Sequence, residues 1–439
     1  MSTERKQLEI LLAVTRDGAF ANLALKEGLS GVRANEVGRS TALIYECIEH
    51  INYCDFIIDS YAKGRLHTAV RGILRIAMTE LFFMHTPDHA VCSKAVKLTE
   101  EIGKGKLKGF VNGVIRSVIR ARDEGKLPEL PEDPIERLEI ETGCPAFMLR
   151  EYSDEYGLEF TREMIGARVR GACVRAVPPA SVDVIAAAFD QRGLSYRRSA
   201  FLDDALVVDS FGGAVSEDEL FVSGSMTIQS ESAMLACRCA DPKPGMRVLD
   251  ACAAPGGKTA YMADLMERRG SLCAWDIHPH RVELIRANLA RLGVGFVTAE
   301  VRDASVFYPE LEGKFDVVLC DVPCSGLGFG SKPDALLRRT EESIEELSRL
   351  QYSILETCSR YLDERGTLTY STCTLSKRED EAVIERFLKE HPDFGLVSLA
   401  DMLPDTLRER GEKGMLRLLP NVDKTEGFFI AKLGRKNGR

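Results

Sequence analysis

The sequence lacks the features that would assign it to a membrane or secreted class. No run of eighteen or more apolar residues occurs, so we expect no transmembrane helix. The N-terminal MSTERKQLEI carries charges where a signal peptide needs an apolar stretch. The thirteen cysteines show no paired spacing, and Cys47, Cys54 and Cys320 lie in apolar segments, as reduced buried cysteines do. We therefore expect a cytoplasmic protein with free thiols.

An excess of positive charge is also absent, because the formal net charge is −9 at pH 7. This balance argues against a protein that coats nucleic acid nonspecifically, although a local basic face can still bind it. Any one cluster of basic side chains is more often a solvated face than a contact. Such clusters occur at Lys104, Lys106 and Lys108, at Arg162, Arg168, Arg170 and Arg175, at Arg197 and Arg198, and at Arg338 and Arg339.

The pattern of apolar residues divides the chain into helical and mixed parts. Residues 3–122 show helical spacing, as in AVRGILRIAMTELFFM, and a proline-rich acidic segment follows. Short strand-like segments around one helix then predict a small α+β part, in which LFVSGSMTIQ is read as a strand. From residue 246 strands alternate with helices, which predicts a parallel doubly wound sheet with a last edge strand in KTEGFFIAKLGRKNGR.

The stretch RVLDACAAPGGKT at 247–259 reads as a strand, a glycine turn and a helix start. Its turn has neither the GxGxxG spacing of a dinucleotide site nor the GxxxxGK[ST] spacing of a P-loop. Glycines let the backbone approach a ligand, and the helix N-terminus offers free N–H groups. On this stretch alone, an ordinary strand–helix turn remains an alternative.

Two later strings favour a specific interpretation: FDVVLCDVPCSGLG at 315–328 and GTLTYSTCTLSKREDEAVIERFL at 366–388. CAAPGGK, DVPCSG and YSTCTL, in this order and spacing, resemble the NOL1/NOP2/Sun family of RNA 5-methylcytosine methyltransferases, which use S-adenosylmethionine. This resemblance covers about the C-terminal half of the chain. The helical N-terminal segment, above all KGFVNGVIRSVIR, resembles the NusB-type fold, a helical RNA-binding domain. A bundle that serves only as scaffold or dimer interface remains the alternative for it.

These resemblances imply a multidomain protein. We predict an all-α NusB-like RNA-binding domain at residues 1–125 and a linker at 126–134. A helix with a small α+β, RRM-like RNA-binding subdomain would occupy 135–240, although the aromatic strings of a true RRM are missing. A Rossmann-like α/β methyltransferase domain would occupy 241–439.

The resemblance also implies an S-adenosylmethionine site at the carboxyl ends of the strands. There, a carboxylate after the second strand is well placed to bind the ribose diol, and Asp276 stands at that position. Asp303 suits a contact to the edge of the adenine. Helix capping is the ordinary alternative for any single aspartate, and a solvated helix start is the alternative for Lys258. The full implied set is Cys252, Ala253, Ala254, Pro255, Gly256, Gly257, Lys258, Asp276, Asp303 and Asp321.

Two cysteines compete as nucleophile, Cys324 in DVPCSG and Cys373 in YSTCTL. Carbon 5 of cytosine is a poor nucleophile, and addition of a thiolate to carbon 6 activates it. Cytosine DNA methyltransferases use a Pro-Cys cysteine, which would favour Cys324. The RNA family uses the Thr-Cys cysteine, so the resemblance implies Cys373 as nucleophile and Cys324 as the helper in product release. Asp321 can hydrogen-bond the cytosine ring.

The sequence therefore predicts methylation of carbon 5 of a cytosine in RNA. A NusB-like domain joined to this catalytic domain resembles the branch of the family that acts on 16S ribosomal RNA. We expect a monomer. We also expect no metal, because Cys237 and Cys239 have no second cysteine or histidine pair nearby. Another RNA such as tRNA remains an alternative substrate. A non-catalytic RNA-binding assembly or antitermination factor is the other alternative, which intact Asp321, Cys324 and Cys373 oppose.

Overall fold

The structure, a computed structural model, describes residues 1–169, 171–328, 333–337 and 339–436. The chain forms two compact units, one of Met1–Gly166 with Lys332–Thr340 and one of Ala167–Ser331 with Glu341–Arg439. Arg170 and Arg338, two of the clustered basic residues, lie outside the described residues. No helix in the described ranges is both long and apolar enough to cross a membrane.

The regular elements of the first unit are helices, which confirms the predicted all-α fold. A cluster of buried apolar residues between Leu8 and Val118 forms the core of α1 to α7. The helices are α1 (Thr3–Thr15), α2 (Ala21–Gly28), α3 (Ala34–Glu49), α4 (Ile51–Tyr61), α5 (Thr68–Phe82), α6 (Asp88–Glu101), α7 (Lys108–Asp123), α8 (Pro134–Thr142), α9 (Ala146–Tyr156), α10 (Leu158–Gly166) and, later in the chain, α16 (Pro333–Leu336).

Helix α7 shows how the KGFVNGVIRSVIR string joins this core. Val111, Val114, Ile115 and Val118 are buried and recur at the spacing of one helix face. Full burial of such a side chain stabilises the fold by about 1.5–3 kcal/mol. The polar and basic residues between them face away from the core, so the string forms an amphipathic core helix.

Helix α8 begins and ends where capping residues require it. The Asp133 carboxylate accepts the backbone N–H groups of Ile135 and Glu136, both at 2.9 Å. Gly143 then ends the helix with a φ of 72°. Asn52 of α4 donates to the Glu139 carbonyl at 3.1 Å, so α8 is held to the first unit. The predicted boundaries at residues 125, 134 and 240 stay predictions.

The second unit contains a small four-stranded antiparallel sheet in the order β2-β3-β1-β4. Phe189 and Leu206 belong to the buried cluster beneath it. The sequence predicted a strand from Leu220, but Asp218 caps a short helix there by accepting the Leu220 N–H at 3.0 Å. The elements are β1 (Ala172–Ala176), α11 (Val182–Gln191), β2 (Tyr196–Arg198), β3 (Ala205–Val208), α12 (Glu219–Val222) and β4 (Met226–Ile228).

The second unit also contains the predicted Rossmann-like sheet, in the order β10-β12-β9-β8-β5-β6-β7, with β11 paired to β12. Strands β5 to β9 run parallel, which confirms the α/β class. The elements are α13 (Glu231–Ala240), β5 (Arg247–Asp250), α14 (Gly257–Leu265), β6 (Ser271–Asp276), α15 (Pro279–Arg291), β7 (Val297–Val301), β8 (Phe315–Asp321), α17 (Glu341–Ser359), β9 (Leu362–Thr372), α18 (Glu381–Glu390), β10 (Phe394–Leu396), α19 (Asp405–Gly411), β11 (Met415–Leu418), α20 (Pro420–Asp423) and β12 (Phe428–Arg435).

Two predictions about this unit are wrong. Strand β12 is not an edge strand, because it pairs with β9 on one side and with β10 and β11 on the other. Its residues Phe428–Leu433 are buried, as a strand covered on both faces requires. Arg175 does not belong to a basic surface cluster either. It is fully buried in β1 and forms an ion pair with Asp264 at 2.6 Å.

Candidate active site

The residues singled out by the sequence motifs lie along one edge of the large sheet. The parallel register pairs Asp250 with Leu319 and with Ala274, so strands β8, β5 and β6 end close together. Asp321, the last residue of β8, is paired with Ser371 near the end of β9. The carboxyl ends of parallel strands are where such sheets bind ligands, and this edge is therefore the candidate site.

The glycine turn after β5 has a backbone that only glycine adopts easily. Gly256 has a φ of 95°, and a Cβ there would lie 3.2 Å from the Cα of Ile285 in α15. Its N–H donates to the Ala253 carbonyl at 2.7 Å, and helix α14 begins at the next residue. The Ala253 N–H donates to the Trp275 carbonyl at 2.7 Å, which ties the turn to β6. Cys252, Ala254 and Pro255 complete the turn, and Cys252 and Ala254 pack against the buried clusters on either side.

Asp276 is nearly buried at the end of β6, with 4% of its surface exposed. One carboxylate oxygen accepts the His278 N–H at 3.0 Å, and the other lies 3.0 Å from the Arg281 guanidinium. Arg281 also donates to the carbonyl of Ala254 at 3.2 Å. The carboxylate is thus fixed against the glycine turn at the end of β6, and its predicted ribose role stays a prediction.

Asp303, which follows β7, caps its own loop. Its Oδ1 accepts the N–H and the hydroxyl of Ser305, at 2.9 and 2.6 Å. This is the local role that the capping alternative describes. A carboxylate oxygen can accept further hydrogen bonds, so the cap leaves room for a ligand donor.

Lys258 is not a solvated helix start, because only 19% of its side chain is exposed. Its Nζ lies 2.7 Å from Oδ2 of Asp321, and the Ser371 hydroxyl donates to Oδ1 of Asp321 at 2.9 Å. Burial works to lower the pKa of Lys258, but the Asp321 carboxylate outweighs it and raises the pKa. Lys258 is therefore a charged ammonium that fixes Asp321 in one orientation.

The two motif cysteines lie side by side. The sulfurs of Cys324 and Cys373 are 3.1 Å apart, and both residues are only partly buried. The pKa of Cys324 lies well above its ordinary value, because its hydrogen bond to Cys373 and its burial both favour the thiol. The S–H of either cysteine can donate to the sulfur of the other.

A buried carboxylate that sequence reasoning missed, that of Glu379, supports the loop of Cys324. It accepts the Ser325 N–H at 2.8 Å, the Ser325 hydroxyl at 2.5 Å and the Gln351 side chain at 2.9 Å. Glu379 stands in the charged string KREDE, which reads as a solvated helix start. It lies within the string at 366–388 singled out above, but its charged neighbours gave no sign of burial, which only the tertiary fold produces.

Asp250, at the end of β5, is a second buried acid at the sheet edge. Its Oδ2 accepts the Thr259 hydroxyl at 2.7 Å, while Oδ1 is buried without a partner among the described residues. Burial raises the pKa of Asp250 to about 7, although the Thr259 hydrogen bond and Lys258 oppose the shift. This carboxyl can therefore change its charge near neutral pH.

Metal-binding groups do not coincide with this site in the described residues. The side chains that could together hold an ion are Glu46, Glu49 and His50 in the first unit. Cys237 and Cys239 are fully buried within an apolar cluster, which suits the packing role that their sequence predicted.

Comparisons with known proteins agree with this architecture. A family model described as 16S rRNA methyltransferase RsmB/F matches residues 238–434, and a NusB family model matches residues 3–120. The probable ribosomal RNA small subunit methyltransferase B of Bacillus subtilis is 34% identical over 449 residues, 98% of each chain. The probable ribosomal RNA small subunit methyltransferase B of Synechocystis is 28% identical over 438 residues, 97% of each chain.

Solved structures show the same similarity. The crystal structure of PH0851 covers 99% of this chain and all of its own, with a TM-score of 0.83 at 26% identity. A methyltransferase homologue from Pyrococcus horikoshii covers 69% of this chain and 98% of its own, with a TM-score of 0.58 at 30% identity. The chain therefore belongs to the RsmB/F family of S-adenosylmethionine-dependent 16S ribosomal RNA methyltransferases and carries a NusB-family domain at its N-terminus.

Proposed function

We propose that this protein methylates carbon 5 of a cytosine in 16S ribosomal RNA, with Cys373 as the nucleophile. The observation that carries the proposal is the pair of partly buried thiols 3.1 Å apart at the sheet edge, next to strand β8, whose last residue is Asp321. Methylation of an exocyclic amine needs no thiol nucleophile, whereas attack by carbon 5 requires covalent activation of the ring. Two thiols at this edge of the sheet therefore favour carbon 5 of cytosine, rather than an exocyclic amine, as the atom that is methylated.

The proposed reaction begins with a base that has left its helix, since a stacked ring is unreachable. The Cys373 thiolate forms a bond to carbon 6, and the electron pair of the 5,6 double bond moves to carbon 5. S-adenosylmethionine, when bound, supplies a methyl group that is electrophilic because its sulfur is positively charged. After transfer, a base takes the proton from carbon 5, the double bond forms again, and the Cys373 thiolate leaves.

The polar groups around the two thiols fit separate roles. The sulfur of Cys324 lies 3.1 Å from that of Cys373, so a Cys324 S–H can stabilise the Cys373 thiolate before attack and after release. Asp321 is held by Lys258 and Ser371 at 2.7 and 2.9 Å, which preorganises it to hydrogen-bond the cytosine ring. We assign Cys324 to product release and Asp321 to binding of the target base.

The chain's own residues fit the cofactor. The turn from Cys252 to Lys258 would bring the free N–H groups at the start of α14 close to the ligand, and the glycine at 256 lets this turn pack against α15. The fixed carboxylate of Asp276 suits the ribose diol, and Asp303 suits the adenine edge. All thirteen cysteines are free thiols, which supports the cytoplasm as the working compartment.

The nucleoside product tests this proposal. Purified protein, labelled S-adenosylmethionine and a 16S ribosomal RNA transcript should give label only in 5-methylcytidine after digestion to nucleosides. Bisulfite sequencing of 16S ribosomal RNA should show one cytosine that resists conversion in the wild-type strain and is converted in a deletion strain. Label in N4-methylcytidine would contradict the proposal, as would labelling of a tRNA transcript when the 16S transcript stays unlabelled.

A further inference from the structure

One buried amide beside the glycine turn has no partner among the residues that the structure describes. Gln229 stands between β4 and α13, and 7% of its surface is exposed. Its backbone N–H donates to the Cys173 carbonyl at 3.1 Å, so its main chain is fixed. Its side-chain Oε1 and Nε2 are both buried and make no hydrogen bond to a described residue. Burying both polar atoms without a hydrogen bond destabilises the folded protein unless a ligand supplies the missing partners.

The Gln229 amide lies at the first turn of helix α14. The Cδ of Gln229 is 3.9 Å from the point where a Cβ would stand on Gly257. Gly257 is the first residue of α14, and Gly256 before it has the left-handed conformation of the turn. A helix N-terminus favours negative charge, and the amide adds a donor and an acceptor at the same place.

The order of the strands indicates which part of the cofactor comes here. Along β7-β6-β5-β8-β9, the site residues follow as Asp303, Asp276, the glycine turn, Asp321 with Cys324, and Cys373. If Asp276 holds the ribose and the methyl group must reach a base on Cys373, the cofactor sulfur lies near the turn after β5. The amino acid end of the cofactor departs from that sulfur, so it lies near the turn and Gln229.

We infer that Gln229 binds the amino acid end of S-adenosylmethionine, with Nε2 donating to its carboxylate and Oε1 accepting from its ammonium group. This inference rests on the proposed positions of the ribose and of the target base. Lys258 and Asp321 are already paired with each other at 2.7 Å. A neutral amide can recognise a zwitterion without disturbing that pair.

Calorimetry on the full chain without RNA tests the inference, with two ligands. S-adenosylmethionine contains the amino acid end, whereas 5′-methylthioadenosine lacks it and keeps the adenosine. Gln229→Met should weaken binding of S-adenosylmethionine about tenfold, which is about 1.4 kcal/mol, and leave binding of 5′-methylthioadenosine unchanged. Asp276→Ala should weaken both ligands, because both contain the ribose.

A second measurement separates ligand binding from folding. Gln351 is a matched control, since its buried Nε2 donates to Pro323 and Glu379 at 3.0 and 2.9 Å. Gln351→Met should lower the melting temperature of the ligand-free protein, whereas Gln229→Met should leave it unchanged or raise it.

Unchanged affinity of Gln229→Met for S-adenosylmethionine would overturn the inference, as would an equal loss for both ligands. These outcomes are independent of the nucleoside product. A failure of the carbon 5 proposal would therefore be distinguished from a failure here.

Discussion

The buried carboxyl of Asp250 should make the second unit less stable as the pH rises from about 4 to about 7. Burial raises its pKa to about 7 from an ordinary value of 3.8. The folded state then keeps a proton that the unfolded state has already released, so stability falls between about pH 4 and pH 7. At about 1.4 kcal/mol for each pKa unit, the whole window corresponds to roughly 4 kcal/mol.

Asp250→Asn removes this dependence, because the amide cannot ionise and can still accept the Thr259 hydroxyl. Near pH 5 the Asp250 carboxyl of the folded wild-type protein is mostly neutral as well, whereas at pH 8 it is ionised although it is still buried. We therefore expect the free energy of unfolding of the variant, relative to wild type, to rise by about 2–3 kcal/mol from pH 5 to pH 8.

Urea unfolding followed by tryptophan fluorescence measures this difference. The chain has a single tryptophan, Trp275, which is fully buried in β6 and so reports on the second unit. Asp316→Asn is the matched control. A hydrogen bond from Arg247 lowers the pKa of Asp316, so both its folded and unfolded forms are ionised from pH 5 to pH 8, and its effect should stay constant. An equally constant difference for Asp250→Asn would refute the reasoning.

Three further predictions concern the cofactor, the site and the RNA. Asp276→Ala should weaken S-adenosylmethionine binding by about 1.5–3 kcal/mol, the range for hydrogen bonds to charged groups; wild-type affinity in calorimetry would exclude the ribose role. Lys258→Met should slow single-turnover methyl transfer roughly 100-fold, by leaving Asp321 without its cation, whereas an unchanged rate would make the pair structural. Replacing Lys104, Lys106 and Lys108 by alanine should reduce the slope of log K against log salt for RNA binding by about 0.7–0.9 per lost phosphate contact, and an unchanged slope would favour a scaffold role for these lysines.

Local patterns predicted most of the fold. The spacing of Val111, Val114 and Val118 needs only one helix to be recognised, and the structure has that helix. The position of β12 could not be predicted in this way, because pairing with β9 and β10 depends on contacts far apart in sequence. Arg175 shows the same limit, since its burial requires Asp264 on a distant helix.

The chemistry-bearing residues were predicted where short strings carry them. Cys324, Cys373 and Asp321 stand in such strings, and the sheet brings their strands together. Glu379 stands in a charged string and Gln229 at the end of a strand-like segment, and only the tertiary fold buries their side chains. The short strings therefore point to the side chains proposed to react, whereas the supporting residue Glu379 and the proposed cofactor contact Gln229 become visible only in the structure.

The two cysteine roles are the central claim, and a denaturing gel tests them most directly. With labelled 16S ribosomal RNA and S-adenosylmethionine, Cys324→Ala should still attack and methylate but should not release its product. We predict a slow-migrating protein–RNA adduct for Cys324→Ala and none for Cys373→Ala or the double variant. An adduct with Cys373→Ala and none with Cys324→Ala would contradict the account and exchange the roles of the two thiols.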